Sequence, residues 1–234
     1  MRLLFTDERV IAVVAHPDDA ELLCAGTLAR ARQDGAVIAL CVLCRGDKGQ
    51  PDPPIKNLGE VRRREMGAAA KLLGAKLFTC GYSDGSLVDS PSPRRKVMEV
   101  FRRFKPTLVL GHFPYDYHPD HCAAACITEA ATWFCASHGH ETASPPLPSP
   151  PALWQMDTVE MIGFEPGFFV DITEQMPLKL QMLACHRSQL SRGADLPALT
   201  DLVQRQAGAR GAQANVRYAE AFRLAPLMRR RHAW

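Results

Sequence analysis

Short apolar runs alternate along this sequence with longer segments whose apolar residues are spaced as on one face of a helix. Residues 10–15 form the first run, which is rich in valine and typical of a strand buried on both faces of a sheet. Residues 21–34 place leucines on one side of a helix and arginines on the other, and Gly35 then ends the helix. The same alternation predicts strands over 37–43, 76–79 and 107–111, and helices over 60–73, 94–104 and 122–136. It therefore predicts an α/β fold: a Rossmann-like, doubly wound, mostly parallel sheet with helices on both faces.

The last third of the sequence contains a stretch rich in proline and serine. That stretch, residues 144–151, is predicted to be a loop or lid, because too little chain follows it to form an independent core. Beyond it the pattern predicts strands over 153–156 and 168–170, and helices over 174–188 and 196–207. We therefore expect a single domain over residues 1–234.

The charge and the cysteines exclude several classes of protein. The net charge is only +3, and the basic runs at 62–64 and 229–231 are typical of solvated faces or tails, so no nucleic-acid partner is expected. No apolar run approaches the ~18 residues needed to span a bilayer. The first ten residues are too short and too charged for a secretory segment, and most of the eight cysteines lie in apolar stretches. A cytoplasmic protein with reduced, buried thiols is therefore expected, and the CxxC of Cys41 and Cys44 is not expected to act in redox or metal chemistry.

Two clusters of histidine and aspartate follow predicted strands. His-Pro-Asp-Asp at 16–19 comes directly after the first strand, and His-Pro-Asp-His at 118–121 follows the fourth. In the common strand order 3-2-1-4, the first and fourth strands flank the point where the order reverses, and ligands bind outside their carboxyl ends. We therefore expect the two clusters to face one crevice.

The residue types in these clusters suit a divalent metal. Imidazole and carboxylate favour Zn²⁺, with Fe²⁺, Co²⁺ and Ni²⁺ as competitors. A catalytic zinc site usually has three protein ligands and one position for water, and the candidate ligands are His16, Asp19 and His121. Asp18 and His118 then lie near the metal without binding it. The carboxylate can take a proton from water, and the imidazole can protonate a leaving amine or stabilise an oxyanion.

Asp120 is predicted to hold the ring of His118 and to favour its charged form. The alternative is that each cluster is simply a turn whose aspartate caps the next helix. Two such clusters, each with a surplus acid or base, favour a metal site over two unrelated turns.

These motifs resemble those of the PIG-L / LmbE-like family of zinc-dependent N-deacetylases. That family includes the N-acetylglucosaminyl-phosphatidylinositol deacetylases and the deacetylases of mycothiol and bacillithiol synthesis. The resemblance rests on AHPDD at 15–19 and HPDH at 118–121, and it covers nearly the whole chain. It extends to the RxxE of Arg62 and Glu65, to YSDG at 82–85, VDIT at 170–173, Lys179, HRSQ at 186–189 and YAEAF at 218–222. Many members have Glu directly after the two aspartates, whereas Ala20 stands at that position here and Glu21 follows it. This difference suggests a subgroup of the family.

The resemblance implies a hydrolase that removes an acetyl or other acyl group from the amine of an amino-sugar-like substrate at a zinc site. The implied ligands are His16, Asp19 and His121, with Asp18 as general base and His118 as acid or stabiliser. Family members often form trimers or hexamers, so a homo-oligomer is also implied.

Four residues are candidate substrate contacts. The resemblance implies that Arg62 contacts the substrate. The alternative is that Arg62 forms an ion pair with a nearby acid on the surface. Asp84 either binds a sugar hydroxyl or only shapes its turn. Tyr115 and Asp116 precede the second cluster and are expected to line the pocket. His186 is expected to be structural, because periodic leucines surround it on a predicted helix.

Three other functions are alternatives to deacetylation. A related amide hydrolase acting on a thiol conjugate would use the same site residues. A non-catalytic sugar- or metal-binding protein would need neither Asp18 nor His118. A dinucleotide-binding oxidoreductase is disfavoured, because no GxGxxG follows the first strand and two aspartates there would repel a pyrophosphate.

Overall fold

The strands of the protein form one seven-stranded sheet in the computed structural model, which describes residues 4–190 and 198–225. The strands are β1 (Arg9–Val14), β2 (Val37–Cys44), β3 (Lys76–Tyr82), β4 (Leu108–Gly111), β5 (Ala152–Met156), β6 (Phe168–Asp171) and β7 (Ala219–Leu224). Their order across the sheet is β3-β2-β1-β4-β5-β7-β6. The first five in that order run parallel, whereas β7 is antiparallel to both β5 and β6. The predicted fold class and the order 3-2-1-4 are confirmed.

Helices cover both faces of the sheet. They are α1 (Asp19–Leu23), α2 (Ala25–Gln33), α3 (Leu58–Leu73), α4 (Pro91–Phe104), α5 (Pro119–Phe134), α6 (Met176–Leu183), α7 (Arg187–Leu190) and α8 (Leu199–Ala214). One apolar layer joins the sheet to α2, α3, α6 and α8, and a second layer joins the other face to α4 and α5. Successive residues of β2 alternate between the layers: Leu40 and Val42 pack in the first, Cys41 and Leu43 in the second. This burial on both faces explains the continuous apolar run in the sequence.

The helix predicted over 21–34 is interrupted at Cys24, whose φ of −146° and ψ of 4° are not helical. The break exposes backbone groups that one continuous helix would pair internally. The carboxylate of Glu220 accepts hydrogen bonds of 2.9 and 2.7 Å from two backbone N–H groups in the first turn of α2. The ammonium of Lys179 donates to a carbonyl of α1. A distant ion pair therefore caps both helix ends, which no local pattern signals.

Helix ends near the two clusters also differ from the predictions. The helix predicted from residue 122 begins at Pro119, and His118 is its N-cap, because the Nδ1 atom of that ring accepts from the backbone N–H of Asp120 at 3.1 Å. The helix predicted over 174–188 is two helices, α6 and α7. The predicted start at residue 196 and the basic run at 229–231 lie outside the described residues.

The cysteines are all free thiols, and Cys41 and Cys44 of the CxxC are buried. In the described part of the chain, no helix has both the length and the apolar composition needed to cross a membrane.

Gly26 allows α2 to approach the segment after β6 closely, as the small residues at 24–26 suggest. A Cβ atom at this position would lie 2.7 Å from Ile172 Cδ1. Gly26→Ala is therefore expected to destabilise the protein by about 1–3 kcal/mol, even though alanine favours a helix. Gly67 in α3 is the matched control, because a Cβ there meets no atom within 4 Å. Urea unfolding should show Gly67→Ala as neutral or slightly stabilised, and a Gly26→Ala variant as stable as the parent would contradict the packing argument.

Candidate active site

The strand order brings the two histidine–aspartate clusters to one edge of the sheet. β1 and β4 are parallel neighbours, and Val13 of β1 pairs with Gly111 of β4. The chain leaves both strands at the same edge, so residues 16–19 and 118–121 meet there. The ring centroid of His16 lies 4.7 Å from that of His118 and 5.4 Å from that of His121. The expectation that the clusters face each other agrees with this geometry.

Asp19 lies at the centre of the site. Its Oδ2 atom accepts from the backbone N–H of His16 at 2.7 Å and lies 3.5 Å from the Nδ1 atom of the same residue. Its Oδ1 atom lies 3.4 Å from the Nε2 atom of His121. Ligands of a tetrahedral zinc with bonds of ~2.0–2.1 Å stand about 3.3–3.4 Å apart. Each imidazole therefore lies near ligand spacing from Asp19, and each approaches a different oxygen of its carboxylate.

Asp18 has an unusual backbone for a non-glycine residue. Its φ is 99° and its ψ −24°, in the left-handed region, and such backbone strain concentrates at functional sites. Asp18 occupies the N-cap position of α1, yet its side chain makes no capping hydrogen bond. The simple turn-and-cap interpretation therefore does not hold for the first cluster. Burial, reinforced by the charge of Asp19, raises the pKa of Asp18 to about 7.

The charges of the histidines differ according to their neighbours. Burial alone would lower the pKa of His16, but Asp19 and Asp120 raise it to about 9. Burial is likewise outweighed at His121, where Asp19 and Asp116 raise the pKa to about 10. Burial and the charges of His16 and His121 lower the pKa of His118. The carboxylates around His16 and His121 therefore favour positive charge at these two rings.

Among the residues that the structure describes, three sets of donor atoms lie close enough together to hold a metal ion: His16, His118 and His121; Asp19, His112 and His121; and His16, Cys44 and Asp120. Within each set the donor atoms lie within 4.8 Å of one another. His112 was missed in the sequence, because it follows β4 without any motif around it. Its ring stacks on His121 at 4.2 Å, but its Nε2 atom accepts from the backbone N–H of Ala15 at 3.0 Å. That bond occupies the lone pair of Nε2, while Nδ1 is buried and has no hydrogen-bond partner among the described residues. The predicted set of His16, Asp19 and His121 is not among these three, although His16 and His121 share the first set and Asp19 and His121 share the second. Its imidazole and carboxylate donors are of the kinds that a divalent cation takes.

The prediction that Asp120 holds the ring of His118 is wrong, because the carboxylate of Asp120 has other partners. Its Oδ2 atom lies 3.0 Å from Nε2 of His16 and accepts from the backbone N–H of Gly85 at 2.7 Å. Its Oδ1 atom accepts from the backbone N–H of Leu87 at 3.3 Å. The ring of His118 is bonded instead by the backbone N–H of Asp120. The reason is that Asp120, inside the first turn of α5, points across the crevice towards β1.

The two residues expected to line the pocket lie in different places. The side chain of Tyr115 is 78% exposed at the rim. The carboxylate of Asp116 is instead buried, with Oδ1 at 3.1 Å from Nδ1 of His121. Asp116 therefore faces a candidate ligand and not the open crevice.

Arg62 is buried, which removes the surface ion pair as its explanation. Its Nη2 atom donates to the carbonyl of Gly49 and to Oε1 of Gln189, both at 2.6 Å. Asp84 accepts from the backbone N–H groups of Gly46 at 2.8 Å and Lys48 at 3.1 Å, so it shapes the loop beside the site.

The RxxE and HRSQ motifs interlock beside the site. Besides the bond between Arg62 and Gln189, Glu65 accepts from the backbone N–H and the hydroxyl of Ser188 at 2.8 and 2.6 Å. His186 is fully buried, with Nε2 at 3.4 Å from the carboxylate of Glu21. It lies between α6 and α7 rather than within a helix. Motifs far apart in sequence are thus joined by polar contacts.

A cavity of about 610 Å³ opens next to the crevice. Pro17, Cys44 and Met66 are among its lining residues, and charged side chains such as Asp47 and Arg63 also line it. A larger groove of about 1220 Å³ lies against α4, and none of the clustered histidines lines it. The smaller cavity is the one adjacent to the candidate site.

Comparison with known proteins identifies the family. Residues 11–132, just over half of the chain, match the family described as PIG-L: GlcNAc-PI de-N-acetylase. This chain belongs to the PIG-L family. A diacetylchitobiose deacetylase of Thermococcus kodakarensis is 26% identical over 94% of this chain and 84% of its own length. A 1D-myo-inositol 2-acetamido-2-deoxy-alpha-D-glucopyranoside deacetylase of Rhodococcus erythropolis is 30% identical over 68% of this chain and 64% of its own. The solved structure of the N,N'-diacetylchitobiose deacetylase of Pyrococcus horikoshii superposes with a TM-score of 0.82 at 26% identity, covering 94% of this chain and 84% of that one.

One relative has a different activity. A 4-oxalmesaconate hydratase of Pseudomonas putida is 24% identical over 76% of this PIG-L chain and 73% of its own length. Family membership alone therefore does not select the reaction, which depends on the residues of the site.

Proposed function

We propose that this PIG-L family member is a metal-dependent deacetylase, loaded with zinc, that removes the acetyl group from an N-acetylated amino sugar. The observation that carries the proposal is the arrangement of Asp18 and Asp19. Asp19 lies near ligand spacing from two imidazoles, while the neighbouring Asp18 has a strained backbone and a side chain that makes no capping hydrogen bond. A binding protein needs the first feature and not the second.

His16, Asp19 and His121 would hold the cation. A divalent cation at that point would lower the pKa of a water molecule toward ~7 and polarise the amide carbonyl. Fe²⁺, Co²⁺ and Ni²⁺ suit the same donors and are competitors of Zn²⁺.

Asp18 acts as the general base in this proposal. A pKa near 7 leaves a large fraction of its carboxylate ionised at neutral pH, and the same group is basic enough to take a proton from water. After attack on the amide carbon, its carboxyl group holds the proton that the departing amine requires.

His118 acts on the leaving group or on the developing oxyanion. Its Nδ1 atom accepts from the backbone N–H of Asp120, so the ring carries its proton on Nε2. A lowered pKa favours the neutral ring, whose Nε2–H can donate a hydrogen bond to the developing oxyanion. Tyr115 at the rim, Arg62 and Asp84 in the wall would contact the sugar.

The proposal is tested by acetate release. The protein is stripped with a chelator, then reloaded separately with Zn²⁺, Fe²⁺, Co²⁺ or Ni²⁺, and incubated with N-acetylglucosamine, diacetylchitobiose and N-acetylglucosaminyl-inositol. We expect no release from the stripped protein, and release with at least one metal, accompanied by a free amine. A thiol conjugate with an N-acyl amine and an unsaturated dicarboxylic acid are included as further substrates. Hydration of the acid without any acetate release would overturn the proposal in favour of a hydratase, and sugar binding without turnover would favour a binding protein.

A further inference from the structure

Asp116 is the second carboxylate near His121, and it lies on the side of that ring away from Asp19. Nε2 of His121 is the atom near Asp19, at 3.4 Å, and Nδ1 is the atom near Asp116, at 3.1 Å. The ring is therefore placed between two carboxylates, one at each nitrogen. Two further imidazoles stack on it, His112 at 4.2 Å and His118 at 4.8 Å between ring centroids.

The carboxylate of Asp116 is fixed by a hydrogen bond from the backbone. Its Oδ1 atom accepts from the backbone N–H of His118 at 3.0 Å, and its side chain is fully buried. The chain therefore holds this oxygen against the ring of His121 by a turn of its own backbone.

Two buried atoms in this contact lack a well-directed hydrogen bond. They are Nδ1 of His121 and Oδ2 of Asp116. Buried polar atoms without a partner are rare and call for an explanation. A small rotation of the ring about its bond to Cβ would aim Nδ1–H at the carboxylate, and a cation at Nε2 would favour one ring orientation.

We propose that Asp116 is a positioning residue, which orients the ring of His121 and keeps its proton on Nδ1, so that Nε2 offers its lone pair to the cation. This inference rests on the proposed metal site. A carboxylate behind a ligand imidazole is a general feature of metal centres, because it fixes the tautomer and strengthens the ligand. Asp120 stands in the same relation to His16, with its Oδ2 at 3.0 Å from Nε2. The short segment 116–120 thus supplies one carboxylate behind each of the two imidazoles.

One alternative is that Asp116 contacts the substrate. Its Oδ2 atom is buried and Oδ1 is engaged by the backbone, so neither oxygen faces the crevice. A second alternative is that Asp116 only stabilises the turn before α5. The experiment must therefore distinguish metal affinity from stability.

The test compares Asp116→Ala and Asp116→Asn with a control that removes a buried carboxylate elsewhere. Asp157 is the control, because it is buried in an ion pair with Arg210, at 2.6 Å, away from the histidines. The Zn²⁺ dissociation constant is measured by competition with a chromophoric chelator, the absorption spectrum is recorded with Co²⁺, and the thermal midpoint is measured without metal.

We expect Asp116→Ala to weaken Zn²⁺ binding by about 10- to 100-fold and to shift the Co²⁺ spectrum. Asp116→Asn should lie between this variant and the parent, because its amide oxygen still accepts from Nδ1–H. Asp157→Asn should lower the thermal midpoint and leave the Zn²⁺ affinity unchanged. Should Asp116→Ala fail to fold, the comparison of Asp116→Asn with Asp157→Asn gives the answer.

Unchanged Zn²⁺ affinity in the Asp116 variants would overturn the positioning role while leaving the proposed function intact. Failure of the parent protein itself to bind Zn²⁺ or Co²⁺ would overturn the metal site, and with it both proposals. Because these readouts need no substrate, the two failures are distinguishable.

Discussion

Asp18→Asn is expected to lower kcat for acetate release by about 100- to 10,000-fold, while the protein retains its metal. The amide is nearly the same size as the carboxylate but cannot take a proton from water, so the loss measures base catalysis. Asp18 is the group for this role because its side chain makes no capping bond and its pKa is raised to about 7 by burial and by Asp19. Single-turnover and steady-state rates, with metal content measured on the same sample, check the prediction.

Asp19→Asn provides the comparison that separates the two neighbouring aspartates. Asp19 lies within 3.5 Å of both predicted ligand imidazoles, so its variant should lose metal as well as activity, and added Zn²⁺ should restore activity in part. Asp18→Asn should not respond to added Zn²⁺. An Asp18→Asn enzyme with most of its turnover would contradict the base assignment.

Lys179→Met is expected to destabilise the protein by about 3–5 kcal/mol. The Nζ atom of Lys179 lies 2.5 Å from Oε1 of Glu220, and the exposed fractions of the two side chains are 1% and 4%. Removing one member leaves a buried carboxylate without its cation, which costs more than the pair contributes. Glu220 also accepts from the backbone at the start of α2, so the loss should loosen the junction of α1 and α2. Urea unfolding of the metal-free protein measures the effect without a contribution from metal binding.

Two variants serve as controls for this prediction. Arg63 and Glu60 form an exposed pair on α3, and Arg63→Met should cause no measurable change. The double variant Lys179→Met with Glu220→Gln should recover part of the lost stability, because no uncompensated charge is left in the core. A Lys179→Met protein as stable as the parent would show that Glu220 finds another partner.

Local patterns were sufficient for most elements of the fold. The valine-rich run before residue 16 and the apolar run of β2 predicted strands buried on both faces, and the structure has them there. These elements can be predicted because apolar residues recur along the sequence with the period of the strand or helix that buries them. The helix over 21–34 was predicted without its break, because the partners at Cys24 come from α6 and β7.

The candidate site was predictable to the extent that its residues follow strands in a motif. His16, Asp19 and His121 were selected on that basis, and the structure brings them together. His112 was not, since it stands alone after β4. The partners of Asp120 were also not predictable from local patterns, because this side chain of the first turn of α5 points across the crevice to other elements. Asp116 instead lies before α5 and contacts His121 of that helix.

The sequence by itself determined which side chains this protein brings to the carboxyl ends of β1 and β4, because two strands in the order 3-2-1-4 must end beside each other. Only the tertiary structure decided which nitrogen of each histidine meets which carboxylate. Two of these contacts, His16 with Asp120 and His121 with Asp19, join elements about a hundred residues apart in the chain. Backbone periodicity carries no information about distances of a few ångströms between such elements.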